Sequence, residues 1–262
     1  MKYYKKFLIS SLILSIQFSY LDGMSRKRKR EETQSSIPML NELLKMQILH
    51  IKNLQNIKDL IEQGADINYL DKNRNSILNI LTNKVDDEKI IEFLLSIENI
   101  NIDNQNNAGN TPLLNVCRIK PNLKMIELLL FNRADVNLTN NHKFTPLIEA
   151  CDSKFSFSSL KAAKLLVSFD ADVNRQTYQG RTALMYAAKM GNLRLALFLL
   201  KSGADVSLTD FKGLNCFSFA RNSKVREAIR EACIAHDKNK YEMVYKNTPL
   251  PKELINIVFE YC

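Results

Sequence analysis

Three histidines (His50, His142 and His236) and five cysteines are the side chains of this 262-residue chain best suited to metal binding or nucleophilic chemistry. No histidine has a second His or a Cys at ligand spacing, so no zinc site follows. No Gly-x-x-x-x-Gly-Lys phosphate loop occurs, and no Gly-x-Ser-x-Gly nucleophile elbow. The carboxylates are dispersed, and none forms a recognisable acid/base pair. The sequence therefore predicts no enzyme, no cofactor, no metal and no small-molecule substrate. What it offers a partner must be a surface, and the question becomes which elements hold that surface up.

The organising stretch is Thr177 to Thr209. Ala183, Leu184, Ala187 and Ala188 mark a short apolar helix that stops at Gly191, where glycine tolerates the positive φ of a helix C-terminus. Leu193, Ala196, Leu199 and Leu200 mark a second, with apolar residues at helical spacing, stopping at Gly203. Alone, this hairpin cannot bury both apolar faces. It needs neighbours of its own kind.

Copies are present. Gly-Ala-Asp-Ile-Asn starts at Gly64, Arg-Ala-Asp-Val-Asn at Arg133, Asp-Ala-Asp-Val-Asn at Asp170 and Gly-Ala-Asp-Val-Ser at Gly203. A worn copy, Asn-Ile-Asn-Ile-Asp, starts at Asn99. A second marker keeps the same steps. It is Ser76-Ile77-Leu78, Thr111-Pro112-Leu113, Thr145-Pro146-Leu147, Thr182-Ala183-Leu184 and Asn215-Cys216-Phe217. Two markers sharing a period of about 33 residues indicate a stacked helical repeat. In these Thr-Pro-Leu and Gly-Ala-Asp-Val-Asn signatures the chain resembles the ankyrin-repeat family over residues 37–235. The fold class this implies is all-α: a solenoid of about six helix–turn–helix repeats with a C-terminal helix.

Composition agrees. A hydrophobic content of 45% suffices for a row of small interfaces, and seven glycines with no tryptophan suit short helices and tight turns. The net charge is +9, but residues 1–30 hold eight basic side chains against Asp22 and leave only +2 for the rest. The solenoid has no net charge that points to specific nucleic-acid binding.

Residues 1–23 form the first expected segment. Met1 to Lys6 is a basic start and Phe7 to Ile16 an apolar run too short to span a bilayer as a helix. This reads as an export signal, with a poor cleavage site. A retained hydrophobic anchor is the alternative. Residues 24–36 form a basic linker containing Ser-Arg-Lys-Arg-Lys-Arg-Glu-Glu from Ser25. A charge run is ordinarily a solvated linker, and the functional reading is nuclear import. Its positive charge also resists translocation, which works against export. Initiation at Met24 would remove the apolar run and leave the basic cluster terminal.

The first two repeats are loose. Asn75-Ser76-Ile77-Leu78 lacks the proline, and residues 37–63 lack the second marker, as an end repeat often does. Repeat four carries about four extra residues between its helices, in 152–159. Phe155 and Phe157 lie there, either tucked under the loop or presented to a partner. The helix near Lys224 to Ala235 is highly charged, which suits an end repeat's outer face.

Ankyrin repeats often have His after Thr-Pro-Leu. Here the positions are Asn79, Leu114, Ile148, Met185 and Ser218, so the polar network of that His is expected to be missing. Cys117 and Cys151 stand where the family usually has a small Ala. Packed helices lie about 8–10 Å apart and a disulfide needs Cα atoms within about 7 Å, so these are expected to be buried thiols. Five unpaired cysteines are not a disulfide framework, and if the chain is exported its working compartment is expected to be reducing.

The resemblance also implies where a partner protein binds: the turn tips and the concave inner helices. The matching tip positions are Lys72, Asn73, Asn107, Ala108, Asn141, His142, Tyr178, Gln179, Phe211 and Lys212. Tyr178 and Phe211 are notable, because aromatics are enriched at interface hot spots.

Residues 236–262 form the last expected segment. Leu250-Pro251-x-Glu253-Leu254-Ile255-x-x-Val258-Phe259-x-Tyr261 is similar to the opening of an F-box. Ankyrin proteins of poxviruses and some intracellular bacteria carry a short form of it. The resemblance implies docking on the Skp-type adaptor of a cullin ubiquitin ligase through Leu250, Pro251, Leu254, Val258 and Tyr261. Simple capping of the solenoid is the alternative for the same apolar stripe.

The function expected is that of a non-catalytic protein–protein interaction module. It would be an exported effector reaching a host cytosol or nucleus, with repeats that bind a partner and a C-terminal helix that docks the adaptor. The alternative is a structural scaffold anchored at the cell's own envelope.

Overall fold

The computed structural model describes residues 37–48, 53–84, 88–118, 121–153 and 156–244. The expected signal or anchor, the basic linker, Phe155 with the side chain of Phe157, and the adaptor-docking residues of 250–261 lie outside the described residues.

The second marker is a helix start. Thr145 Oγ1 accepts the Ile148 N–H at 3.2 Å, Thr182 Oγ1 accepts that of Met185 and Asn215 Oδ1 that of Ser218. Thr111 Oγ1 does the same for Leu114, and Ser76 Oγ for Asn79. Each side chain satisfies a donor that the first turn leaves unpaired. The inner helices follow from these caps: α3 (Ile77–Lys84), α5 (Pro112–Arg118), α7 (Pro146–Cys151), α9 (Ala183–Lys189) and α11 (Cys216–Phe219).

The outer helices are α2 (Leu54–Glu62), α4 (Glu88–Leu95), α6 (Leu123–Phe131), α8 (Ser156–Ser168), α10 (Leu193–Lys201) and α12 (Ser223–Val244), and α1 covers 37–48. Asn53, Asn122 and Asn192 cap α2, α6 and α10. The first marker is where an outer helix ends. Its leading residue takes positive φ in all five copies: Gly64, Asn99, Arg133, Asp170 and Gly203. In the four copies where alanine follows, its N–H bonds back to a carbonyl of the last turn, as Ala134 does to Leu129 at 3.0 Å.

Inner helices stack on inner helices, in the order α3, α5, α7, α9, α11, and outer on outer, in the order α4, α6, α8, α10, α12. The core is the row of leucines between them. Leu113, Leu147 and Leu184 from the inner layer and Leu94, Leu129, Leu166 and Leu199 from the outer layer are fully buried.

The extra residues of repeat four lengthen a helix rather than a loop. Helix α8 has 13 residues against nine in α6 and α10. Buried Ser159 continues the stripe of Ala162, Ala163 and Leu166 at helical spacing, so the added turn has a place to pack. At the end of the array, Val225 and Ile229 of α12 are buried while Lys224, Arg226, Glu227, Arg230 and Glu231 face solvent. Among the described residues no helix is long and apolar enough to cross a membrane.

The expected loss of the polar network after the second marker does not hold in repeat two. Asn79 is fully buried, and its Oδ1 accepts from Ser76 N, Ser76 Oγ and Asn104 Nδ2. Its Nδ2 donates to the Asn110 carbonyl in the next repeat at 3.0 Å. An amide carries both a donor and an acceptor, so it can bridge repeats as an imidazole can. The thiols are as expected. Cys117, Cys151 and Cys216 are free and buried, and burial pushes all three up, Cys216 to about 12.

Candidate functional site: the row of turn tips

Between each outer helix and the next inner helix the chain makes a tight hairpin. It is closed by main-chain bonds such as Asn106 N to Asn110 O, Asn140 N to Phe144 O and Thr177 N to Arg181 O. The turn needs a left-handed residue, and Arg74, Gly109, Lys143, Gly180 and Gly213 supply it. At two of these only glycine fits. A Cβ on Gly109 would lie 2.6 Å from Asn141 N, and one on Gly180 would meet Asp210 Cα and Phe211 N at 3.0 Å.

That crowding has a cause: the tips are tied to one another. Asn107 N donates to Asn73 O at 2.9 Å, Asn141 N to Ala108 O at 3.1 Å, Tyr178 N to His142 O at 3.1 Å and Phe211 N to Gln179 O at 3.0 Å. These are the sequence-predicted tip positions, paired across successive repeats. The structure brings Lys72, Asn73, Asn107, Asn141, His142, Tyr178, Gln179, Phe211 and Lys212 into one strip, with every side chain exposed.

A second line of bonds runs along the foot of the hairpins and explains the last residue of the first marker. Asn137 Nδ2 donates to Asp170 O at 3.0 Å while its Oδ1 accepts Asp172 N at 2.8 Å. Asn68 and Asn174 make the same pair of bonds to the next repeat.

The strip is aromatic and cationic at its C-terminal end. Phe211 is 79% and Tyr178 55% exposed. Lys143 Nζ lies 4.9 Å above the Tyr178 ring, and the Arg181 guanidinium 5.0 Å above Phe219. Asp210 is buried. Burial opposes its ionisation, but the Leu214 and Lys212 amides and the Arg181 guanidinium outweigh it and hold the carboxyl below the usual range. Below the tips the inner layer presents Phe144 against Tyr186, centroids 5.4 Å apart, and Lys189 bridging to Asp152 at 3.6 Å.

Two inner-layer groups stand out. Glu149 on α7 is 8% exposed, and burial pushes its carboxyl up to about 7, with Arg118 opposing and Asp152 adding. Asn115, one repeat earlier in the same register, is buried with neither side-chain polar atom hydrogen-bonded. A shallow groove of about 450 Å³ on the outer face, between α6 and α8, is lined by residues of mixed charge.

Sequence reasoning missed Lys143, Arg181 and Leu214 in the strip. The repeat step itself could have found Lys143, since 74, 109, 143, 180 and 213 are spaced as the markers are.

The family model for ankyrin repeats, in three copies, matches residues 113–210. An ankyrin repeat protein of Acanthamoeba polyphaga mimivirus is 31% identical over 136 residues, which cover 45% of this chain and 83% of that one. The chain belongs to the ankyrin-repeat family. Its repeats also match the NF-kappa-B p105 subunit of Gallus gallus, at 31% identity over 62% of this chain but only 16% of that protein. The chain thus spans a small part of that relative. An ankyrin repeat domain from Acinetobacter baumannii superposes with a TM-score of 0.63, covering 72% of this chain and 97% of that one at 23% identity, which is a likeness of fold. Ankyrin repeats are interaction modules, typically non-catalytic, and bind protein partners.

Proposed function

We propose that the repeats hold a partner protein along the strip of turn tips, and that the chain works as an exported effector coupling that partner to a ubiquitin-ligase adaptor. The observation that carries the binding role is the strip itself. Its main chain is fixed from repeat to repeat, while its side chains stand exposed, Tyr178 and Phe211 among them. A surface rigid before binding loses little entropy on binding. Tyr178→Ala with Phe211→Ala tests it, with the partner recovered by cross-linking to the wild-type chain. Loss of binding with unchanged helical circular dichroism supports the reading, and undiminished binding sinks it.

Export rests on residues 1–23, and adaptor docking on Leu250, Pro251, Leu254, Val258 and Tyr261. N-terminal sequencing of the mature protein addresses the first. An intact Met1 on membrane-bound protein favours the anchored scaffold instead. The double variant Leu254→Ala, Tyr261→Ala addresses the second. Docking requires that adaptor pull-down is lost while the melting temperature barely moves. Capping requires that no adaptor is bound and that melting falls by several degrees, since two buried side chains contribute at least about 2 kcal/mol.

A further inference from the structure

We propose that the C-terminal half of the strip, built from Lys143, Tyr178, Arg181, Phe211 and Lys212, takes an acidic, extended protein segment that carries apolar side chains between its carboxylates. The inference rests on the partner-binding role of the strip proposed above and adds the chemistry of what is bound.

Charge is the first argument. Residues 181–230 hold nine basic side chains against three carboxylates, whereas residues 37–105 carry a net negative charge. The excess is therefore local to the last repeats. Within the hairpins the charges are also sorted by position. Asp66, Asp135 and Asp172 stand exposed at the foot, next to the ends of the outer helices. Across the tips the exposed ionic groups are Lys72, Arg74, Lys143 and Lys212. The tip carboxylates are used internally. Asp71 accepts the Asn73 and Asn75 amides, and Asp210 accepts Lys212 N and Leu214 N while pairing with Arg181 at 3.5 Å.

Geometry is the second argument. Lys143 is held over the Tyr178 ring face, and Arg181, over Phe219, is also held by Asp210 at 3.5 Å, which leaves Lys143 and Lys212 as the cations open to a ligand. That placement limits the motion of long side chains before a partner arrives. Phe211 is the most exposed large apolar residue among those described. A complement needs carboxylates for the cations and an apolar group for Phe211 and Tyr178. Stacked helices place successive tips about 10 Å apart, which an extended chain can follow. The chain's own basic cluster at Arg26 to Arg30 has the wrong sign to occupy the strip.

The test is selection of random short peptides, displayed on phage, on the full chain and on a Lys143→Glu, Lys212→Glu variant. Wild type is expected to enrich peptides rich in Asp and Glu interspersed with Phe, Leu or Tyr. Their binding should weaken about tenfold or more in high salt and about tenfold or more with Phe211→Ala. The double variant should no longer enrich them. Neutral or basic peptides that still need Phe211 would overturn the acidic assignment and leave the partner-binding strip intact. Peptides indifferent to every tip substitution would overturn the strip as well, and an absence of enrichment would overturn the acidic segment. Tighter binding of single-stranded DNA than of the selected peptides would overturn it in favour of nucleic acid. Self-association lost in the Lys143→Glu, Lys212→Glu variant would overturn it in favour of a second copy.

Discussion

The carboxylate of Asp103 receives the backbone N–H of Asp135 on both oxygens, at 3.2 and 3.1 Å, where the neighbouring junctions use an asparagine. Asn68, Asn137 and Asn174 each accept one such N–H and also donate to the carbonyl of the residue two positions before it. Asp103 has no donor to give. Burial and the nearby Asp135 push its pKa up, and the Asp135 amide only partly offsets this. Asp103→Asn is therefore expected to stabilise the chain by about 1 kcal/mol and to raise the melting temperature by about 2–4 °C. Thermal unfolding at neutral pH checks it, and an unchanged or lower transition counts against the bridging role.

Acidification should first stabilise the protein. Glu149 has its folded pKa raised from 4.5 to about 7, so the folded state holds its proton more tightly than the unfolded chain. Its contribution is full below the unfolded value and disappears as pH rises through about 7. The ceiling on this effect is about 3 kcal/mol, and Asp103 acts in the same direction. Asp71 and Asp210 act oppositely, with folded pKa values held low, so what they add is lost as pH falls below 3.8. Urea midpoints should rise from pH 8 to about pH 5 and fall in stronger acid. Glu149→Gln should flatten most of the slope between about pH 5 and 7, and an unaltered slope would assign it to other groups.

Arg133 occupies the left-handed position that Gly64 and Gly203 fill elsewhere. For a side-chain-bearing residue that conformation costs about 1–2 kcal/mol, and glycine gives part of this back as entropy of the unfolded chain. Arg133→Gly is expected to stabilise by about 0.5–1 kcal/mol, read from the denaturation midpoint. A loss would mean that the Arg133 side chain makes a contribution of its own.

Leu199 lies fully buried in α10, and Leu199→Ala should cost about 2–5 kcal/mol. Repeat five is closest to the family pattern, and stability in such arrays is roughly a sum over repeats and interfaces. Hydrogen exchange should be slowest in α9 and α10 and faster towards 37–105. The reverse order would contradict the additive picture.

The helices were legible in the sequence because their determinants are local. Thr145 and Thr182 announce caps, and Ala196, Leu199 and Leu200 recur at helical spacing. The tips could be located by counting from those markers. How the tips are joined could not be read, since the bonds from Tyr178 to His142 and from Phe211 to Gln179 use main-chain atoms common to every residue. Arg133 and Asp170 were equally opaque, because their left-handed geometry is imposed by the helix ending before them and not by their own preference. The role of Asn79 was hidden for a third reason: two of its partners, Asn104 and Asn110, lie 25 and 31 positions away.

The bonds between tips have a consequence for how such a surface changes over time. Because Tyr178 and Phe211 are fastened to the preceding tip through their main-chain amides, the side chain there can change without disturbing that bond, proline excepted, whereas Asn141 adds a side-chain bond of its own to the Asn107 carbonyl at 2.9 Å. At Tyr178 and Phe211 the scaffold and the surface it displays are thus written in separate atoms, and a substitution there can remake the surface without first weakening the fold.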